Sequence, residues 1–302
     1  MKKKLTEKLT TIKKEKIKTE RNFGNNLKEL INHHLDCAEK DWQQVRHNFN
    51  ECTISPDDIN DLNRQSIDGE SISDEYITDG SINSIGKNIV SEPISSFPPS
   101  YYRHANNIES TLKKEMIETL IPGYPFLENN KPEVGEFVAF MMDMRNSSSS
   151  FKQYSTSPII ECGLQKIFYE TSSLIPAITY TAAQEGGKVT ELLGDGALIL
   201  FHIKPGNLIN VINRAYVAAE ICINNTMHHV NDILWQRYKF PPLKIGIGLS
   251  YGSAIIKVMN VSGYHPKVIG QCVWEAAKLS NGENTIGLSK EIEEILNLTK
   301  AY

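Results

Sequence analysis

The stretch Glu136-Phe137-Val138-Ala139-Phe140-Met141-Met142-Asp143-Met144-Arg145-Asn146-Ser147-Ser148-Ser149-Ser150-Phe151 decides how the chain is read. Its apolar run, Phe137 to Met142, stops at Asp143, and short polar side chains without an apolar period follow. A run of this kind, bounded by polar residues, predicts a buried strand with a carboxylate at its tip, where a sheet meets solvent. On its own such an Asp is ordinarily a turn opener or a helix cap. A second carboxylate changes the reading. In Val189-Thr190-Glu191-Leu192-Leu193-Gly194-Asp195-Gly196-Ala197-Leu198-Ile199-Leu200-Phe201, two apolar strands flank Gly194-Asp195-Gly196, which predicts a hairpin with Asp195 at its turn. Between the two lies a helical segment from about Pro158 to Glu185, closed by Gly186-Gly187. A strand, a helical excursion and a returning hairpin can bring both carboxylates to one edge of a sheet. Hard divalent cations such as Mg²⁺ need such a pair, with backbone oxygens, when phosphate supplies the remaining ligands.

Downstream, 209–239 carries a helical apolar stripe through Val211, Ala215, Ala218, Ala219, Cys222, Ile223 and Met227, ended by Pro241-Pro242. His228-His229 on it read as packing or surface residues rather than metal ligands. Leu243–Leu249 reads as a strand, Ser250-Tyr251-Gly252 as a turn and Ser253–Met259 as the antiparallel return. Gly246, Gly248 and Gly252 imitate a dinucleotide fingerprint, which fails because a strand follows where a helix is required. A helix at Cys272–Ser280, a short strand near Thr285–Ser289 and a helix from Lys290 to about Leu298 complete the region. The fold class expected for 134–302 is therefore α+β, one mainly antiparallel sheet with covering helices.

Ahead of it, 1–52 reads as a helical region. Met1 to Arg21 holds nine Lys and Arg against three Glu. A basic amphipathic helix can bind a membrane or an acidic partner, and the plainer reading is a solvated helix packing one face on the body or on a second subunit. Residues 53–133 read as an irregular insert or linker ending in a connecting helix, Asn107 to Leu120. Within the insert, Gly80 to Asn88 imitates a phosphate loop, but its glycines are one residue too far apart and Asn88 replaces the required Ser or Thr. The 302 residues carry a net charge of -4, which gives no global footprint for nucleic acid. The five cysteines are scattered without a C-x-x-C pair, which speaks against a disulfide framework or structural zinc and for a reducing compartment. No signal peptide or transmembrane segment is visible, so a cytoplasmic location is expected.

Four groups of residues carry a family resemblance: Val138-Ala139-Phe140-Met141-Met142-Asp143-Met144-Arg145, then Leu193-Gly194-Asp195-Gly196, then Lys244 to Gly252, then Val268-Ile269-Gly270-Gln271-Cys272-Val273-Trp274-Glu275-Ala276-Ala277-Lys278-Leu279. In order, they resemble the motifs of class III nucleotidyl cyclases, whose domain is ferredoxin-like. The run from Met141 to Ser148, preceded by Pro98-Pro99-Ser100-Tyr101-Tyr102-Arg103-His104, looks more narrowly like the bacterial pyrimidine cyclases of anti-phage Pycsar systems.

The resemblance implies an enzyme with two divalent cations per site, Mn²⁺ or Mg²⁺, held by Asp143, Asp195 and the carbonyl of Met144. Main-chain N–H groups and side chains of Arg145, Asn146, Ser147 and Ser148 would cradle phosphate oxygens. Base choice would fall to Glu191 and Lys267, an acceptor beside a donor that suits uracil or guanine and, in another pose, cytosine. The plain alternative is an ordinary ion pair. Where the family has Asn and Arg, this chain has Trp274 and Lys278; the lysine can oppose phosphate charge, and the tryptophan can stack on sugar or base, or pack. A phosphate-binding C-terminal hairpin of the family has no counterpart before Tyr302. The substrate expected is UTP, giving 3′,5′-cyclic UMP for a separate effector, with CTP, a purine triphosphate, or a degenerate nucleotide-binding dimerisation module as alternatives. Metal and transition-state residues come from different subunits in the family, so a homodimer with shared sites is expected.

Overall fold

The computed structural model describes residues 2–49, 115–147 and 159–300, with side chains from 21–49, 115–147 and 159–297. Ser148, Gly80 to Asn88, Pro98 to His104 and the start of the connecting helix at 107–114 lie outside the described residues.

Helix α1, Lys2–Val45, comes first. Strands β1, Met116–Glu118, and β2, Phe126–Glu128, form a small antiparallel pair. The expected helix is thus corrected over 116–118, where the chain pairs with the residues after the Pro122–Pro125 turn. Then follow β3 (Glu133–Met144), α2 (Gly163–Gln184), β4 (Lys188–Leu193), β5 (Gly196–His202), α3 (Leu208–Ile221), α4 (Met227–Tyr238), β6 (Ile245–Asn260), β7 (Tyr264–Ile269), α5 (Gln271–Leu279), β8 (Thr285–Leu288) and α6 (Lys290–Lys300). A π-helical turn at Cys222–Thr226 joins α3 to α4, so the predicted helix over 209–239 is one near-continuous run. The architecture is α+β, as expected.

Six strands form the main sheet in the order β4-β5-β3-β6-β7, with β8 parallel to β6 and every other pairing antiparallel. β3 is central and apolar on both faces: Val138, Phe140, Met142 and Met144 join one core, and Phe137, Ala139 and Met141 the other. That double burial is why its sequence is a continuous apolar run rather than an alternation. The larger core is closed by α1, α2, α3, α4 and α6. From α1 it takes Leu27, Ile31, Leu35, Ala38 and Trp42, a stripe at helical spacing. Arg237 ties the same helix down through Asp36 at 2.7 Å and Glu39 at 2.9 Å, and the Tyr238 hydroxyl donates to Glu39. The smaller core lies under α5 and the β1–β2 region.

Three local expectations are decided by chain geometry. Helix α2 ends as predicted at Gly186, whose φ of +88° lets its N–H reach Ala183 O while Gly187 N–H reaches Ala182 O. The turn expected at Ser250-Tyr251-Gly252 is corrected. β6 runs straight through it because Ser250, Tyr251 and Gly252 pair with Ala139, Val138 and Phe137 of β3, and the hairpin partner is β7. Cysteine spacing also misled at one position: Cys37, Cys222 and Cys272 are free, but Cys162 is disulfide-bonded, since a disulfide needs proximity in space and not along the chain. His228 lies exposed beside Asp232 at 3.3 Å, and His229 packs near Gly24, consistent with surface and packing roles. No described helix is long and apolar enough to cross a membrane.

Candidate active site

Strand register brings the two aspartates to one end of the sheet. Asp143 pairs with Gly196, the last partner β5 offers β3, and Gly196 closes the hairpin opposite Leu193. Gly194 and Asp195 form its two-residue loop, with Gly194 at φ +70° as the first position of a type II′ turn requires. Asp195 is therefore one residue from the position facing Asp143. A Cβ at Gly196 would stand 2.7 Å from Met142 O and 3.4 Å from Asp143 Oδ1, so glycine keeps the space beside that carboxylate clear. Met144 is the next residue of β3, past the end of the β5 ladder and paired only with Ile245. Among the described residues no three His, Cys, Asp or Glu side chains gather closely enough to hold a metal by themselves. Two carboxylates at one rim, beside a glycine with no side chain to fill the space next to Asp143, nevertheless fit a hard cation that takes its other ligands from phosphate and water.

Immediately after the rim, the Arg145 N–H donates to Lys244 O at 2.8 Å, which commits that main-chain donor within the fold. The Arg145 guanidinium forms an ion pair with Asp143. Asn146 takes a left-handed conformation at φ +62°, which Asn tolerates better than most residues, and turns the chain towards Ser147. Lys244 Nζ is 2.6 Å from Glu283 Oε2, and Lys244 above all, then Asn146 and Arg145, hold the Glu283 carboxyl below the usual carboxylate range. Lys244 and Glu283 escaped sequence reasoning, because no spacing links a strand entrance to a loop 39 residues on.

Glu191 on β4 and Lys267 on β7 touch, Nζ to Oε2 at 2.7 Å. These strands are the two ends of a five-strand path, and a flat sheet would hold them about 19 Å apart, farther than the two side chains span. The sheet is therefore strongly curled, and its two ends are joined by this pair.

Helix α5 lies with its backbone directly on β6. A Cβ at Gly248 would stand 1.9 Å from Ala276 O, and one at Gly246 equally close to Ser280 O. These glycines, dismissed as a dinucleotide fingerprint, are what lets the helix seat. Its outer surface lines a cleft of about 810 Å³ with Val268, Ile269, Gln271, Trp274, Glu275 and Lys278. Trp274 is 75% exposed, so within one chain it does not pack, and Lys278 Nζ sits 5.2 Å from its ring centroid. Ser250 Oγ, fully buried, donates to Glu275 Oε2 at 2.7 Å and fixes the helix from below. Neither aspartate lines this cleft.

No family model matches the chain, and no curated protein matches its sequence. Solved structures do. The chain is similar to the adenylyl cyclase CyaB from P. aeruginosa, with a TM-score of 0.47 at 14% identity over 55% of this chain and 83% of that one. It is also similar to the guanylate cyclase domain of RhGC from Catenaria anguillulae in complex with GTP, with a TM-score of 0.41 at 19% identity over 55% and 84% of the two chains. A bacterial light-regulated adenylyl cyclase gives 0.43 at 18% identity, over 55% of this chain and 46% of that one.

Proposed function

We propose that this chain is a metal-dependent nucleotidyl cyclase acting on a pyrimidine triphosphate, UTP first and CTP next. The observation that carries the reading is the Asp143–Gly196 register, which puts Asp143 and Asp195 at one rim although 52 positions separate them. Clustered carboxylates are costly unless a cation neutralises them. Asp143 and Asp195 would hold Mn²⁺ or Mg²⁺, which supplies Lewis-acid neutralisation of phosphate charge. In the reaction the ribose 3′-oxygen bonds to the α-phosphorus, the bond to the bridging oxygen of pyrophosphate breaks, and the hydroxyl proton leaves to solvent. Lys278 opposes the charge gathering on the phosphate oxygens as a point charge. Trp274 offers a face for base or sugar, and Glu191 with Lys267 supplies an acceptor and a donor for the base edge.

The cleft beside Trp274 and Lys278 and the aspartate rim are separate features of one chain. A second copy presenting its rim to this cleft would complete a site, and a homodimer with shared sites follows. The defence role, in which the cyclic nucleotide activates a separate effector, rests on the resemblance carried by Met141 to Ser148 with Pro98 to His104 and the helical region ahead of it.

Incubating the full chain with each of the four triphosphates and Mn²⁺ or Mg²⁺, and separating products by mass, tests the reading. Pyrophosphate and a cyclic product from UTP, or from CTP, are expected. A cyclic purine product would keep the cyclase and overturn the pyrimidine assignment. Binding without product would favour a nucleotide-binding module, which Trp274 in place of an Asn makes the competing reading. Asp143→Ala and Asp195→Ala should each lower turnover by more than about a hundred-fold, the loss usual for groups that only orient a metal ligand.

A further inference from the structure

We infer that Arg145 is a built-in counter-cation for Asp143, a positioning residue that a divalent cation must displace before both aspartates can hold it. This rests on the metal-dependent reading above. Arg145 Nη2 pairs with Asp143 Oδ2; the arginine side chain is 16% exposed and that of Asp143 42%, so the guanidinium is sheltered while the carboxylate stays open to an incoming ion. Its Nε and Nη2 are buried and have no hydrogen-bond acceptor beyond that carboxylate, so on this edge of the guanidinium Asp143 is the group that answers its charge. The main chain cannot follow the side chain, because Arg145 N–H is bonded to Lys244 O and Met144 is paired with Ile245. The neighbouring cation, Lys244, is engaged by Glu283 at 2.6 Å, which leaves Arg145 as the loop's charge for Asp143. Glu283, although paired with Lys244, also lies within electrostatic range of Arg145 in its present position.

Competition follows from charge. A cation and a guanidinium cannot both claim Asp143 Oδ2, so affinity for the ion is lowered by whatever the ion pair is worth. A displaced guanidinium still has a fork of donors that suits phosphate oxygens better than a lysine would. Arg145 thus couples filling of the aspartate rim to the arrival of an anion.

The test is titration of Mn²⁺ alone into the full-length protein, with free Mn²⁺ read by electron paramagnetic resonance and no nucleotide present. Arg145→Gln should bind Mn²⁺ about ten-fold more tightly than the unaltered protein, whereas Arg145→Lys, which keeps the charge, should stay close to it. Adding Asp143→Asn to Arg145→Gln should abolish the gain. Thermal unfolding checks that each variant is folded, and Arg145→Met, which keeps the aliphatic stem, replaces Gln if that variant is not. Equal or weaker binding by the charge-removed variant overturns the inference and leaves the metal-dependent reading standing. Absence of binding by every protein overturns both. A gain that survives Asp143→Asn places the ion elsewhere and overturns the inference too.

Discussion

A tryptophan three-quarters exposed in a monomer is unusual unless something covers it, and Trp274 is held out beside Lys278 by a helix whose backbone lies flush on the sheet. Trp274→Ala should leave chemical stability within about 0.5 kcal/mol, as substitutions outside the core do, while raising KM for the nucleotide. Urea unfolding and steady-state kinetics measure the two effects, and a large loss of stability would return the residue to a packing role. Glu170 behaves oppositely. Only 1% exposed, it has Lys166 Nζ at 3.7 Å as its partner, and burial pushes its carboxyl up to about 7 despite that ammonium. A raised folded-state value means the native protein keeps the proton after the unfolded chain has lost it. Stability therefore falls as pH rises from about 4.5 towards 7 and levels off above. The loss is on the order of 3 kcal/mol. Denaturant midpoints measured across that window should slope downward for the parent and flatten in Glu170→Gln.

Among the elements, β3 and β5 were legible because burial on both faces leaves a continuous apolar record in the sequence. The β4–β5 hairpin was legible because its turn needs Gly194. β6 was misread at Ser250-Tyr251-Gly252, where turn-prone residues are overruled by pairing with β3. Residues 116–118 were misread because a three-residue strand is decided by its partner and not by its own composition. Of the candidate site, the aspartates could be read from strand ends and a turn, since both are local signals. The Glu191–Lys267 contact came only with a family resemblance, because no local rule states how far a sheet curls. The glycines of β6 were noticed, but their purpose emerged only with α5 in place. Gly248→Ala would drive a methyl into Ala276 O and should cost more than about 3 kcal/mol, the upper end for overpacking, because main chain and not a flexible tip must yield. Thermal melts of that variant beside Gly206→Ala separate crowding from backbone strain, since Gly206 has φ +78° with nothing within 4 Å, whereas Gly248 is crowded but has no positive φ.

For the molecule as a whole, the proposed site needs a rim from one copy and a cleft from another. Asp143→Ala and Lys278→Ala proteins, each inactive alone, should regain about a quarter of normal turnover when mixed, because half the dimers then carry one intact site of two. A mixture as inactive as its parts, from proteins shown to exchange subunits, would contradict shared sites. Light scattering should give twice the chain mass.

Helix α1 has a consequence of its own. One stripe of it, from Phe23, half-buried and stacked on Tyr180, through Leu27, Ile31 and Leu35 to Trp42, bonded to Glu161, belongs to the interior of the body it precedes. Cutting the protein at the apparent start of its sheet would strip a wall from the larger core and leave an insoluble remnant, so any shortened version must retain this segment. For the same reason, because α1 is one unbroken helix over its described residues, a twist of its amino-terminal end would be carried straight into the hydrophobic interior.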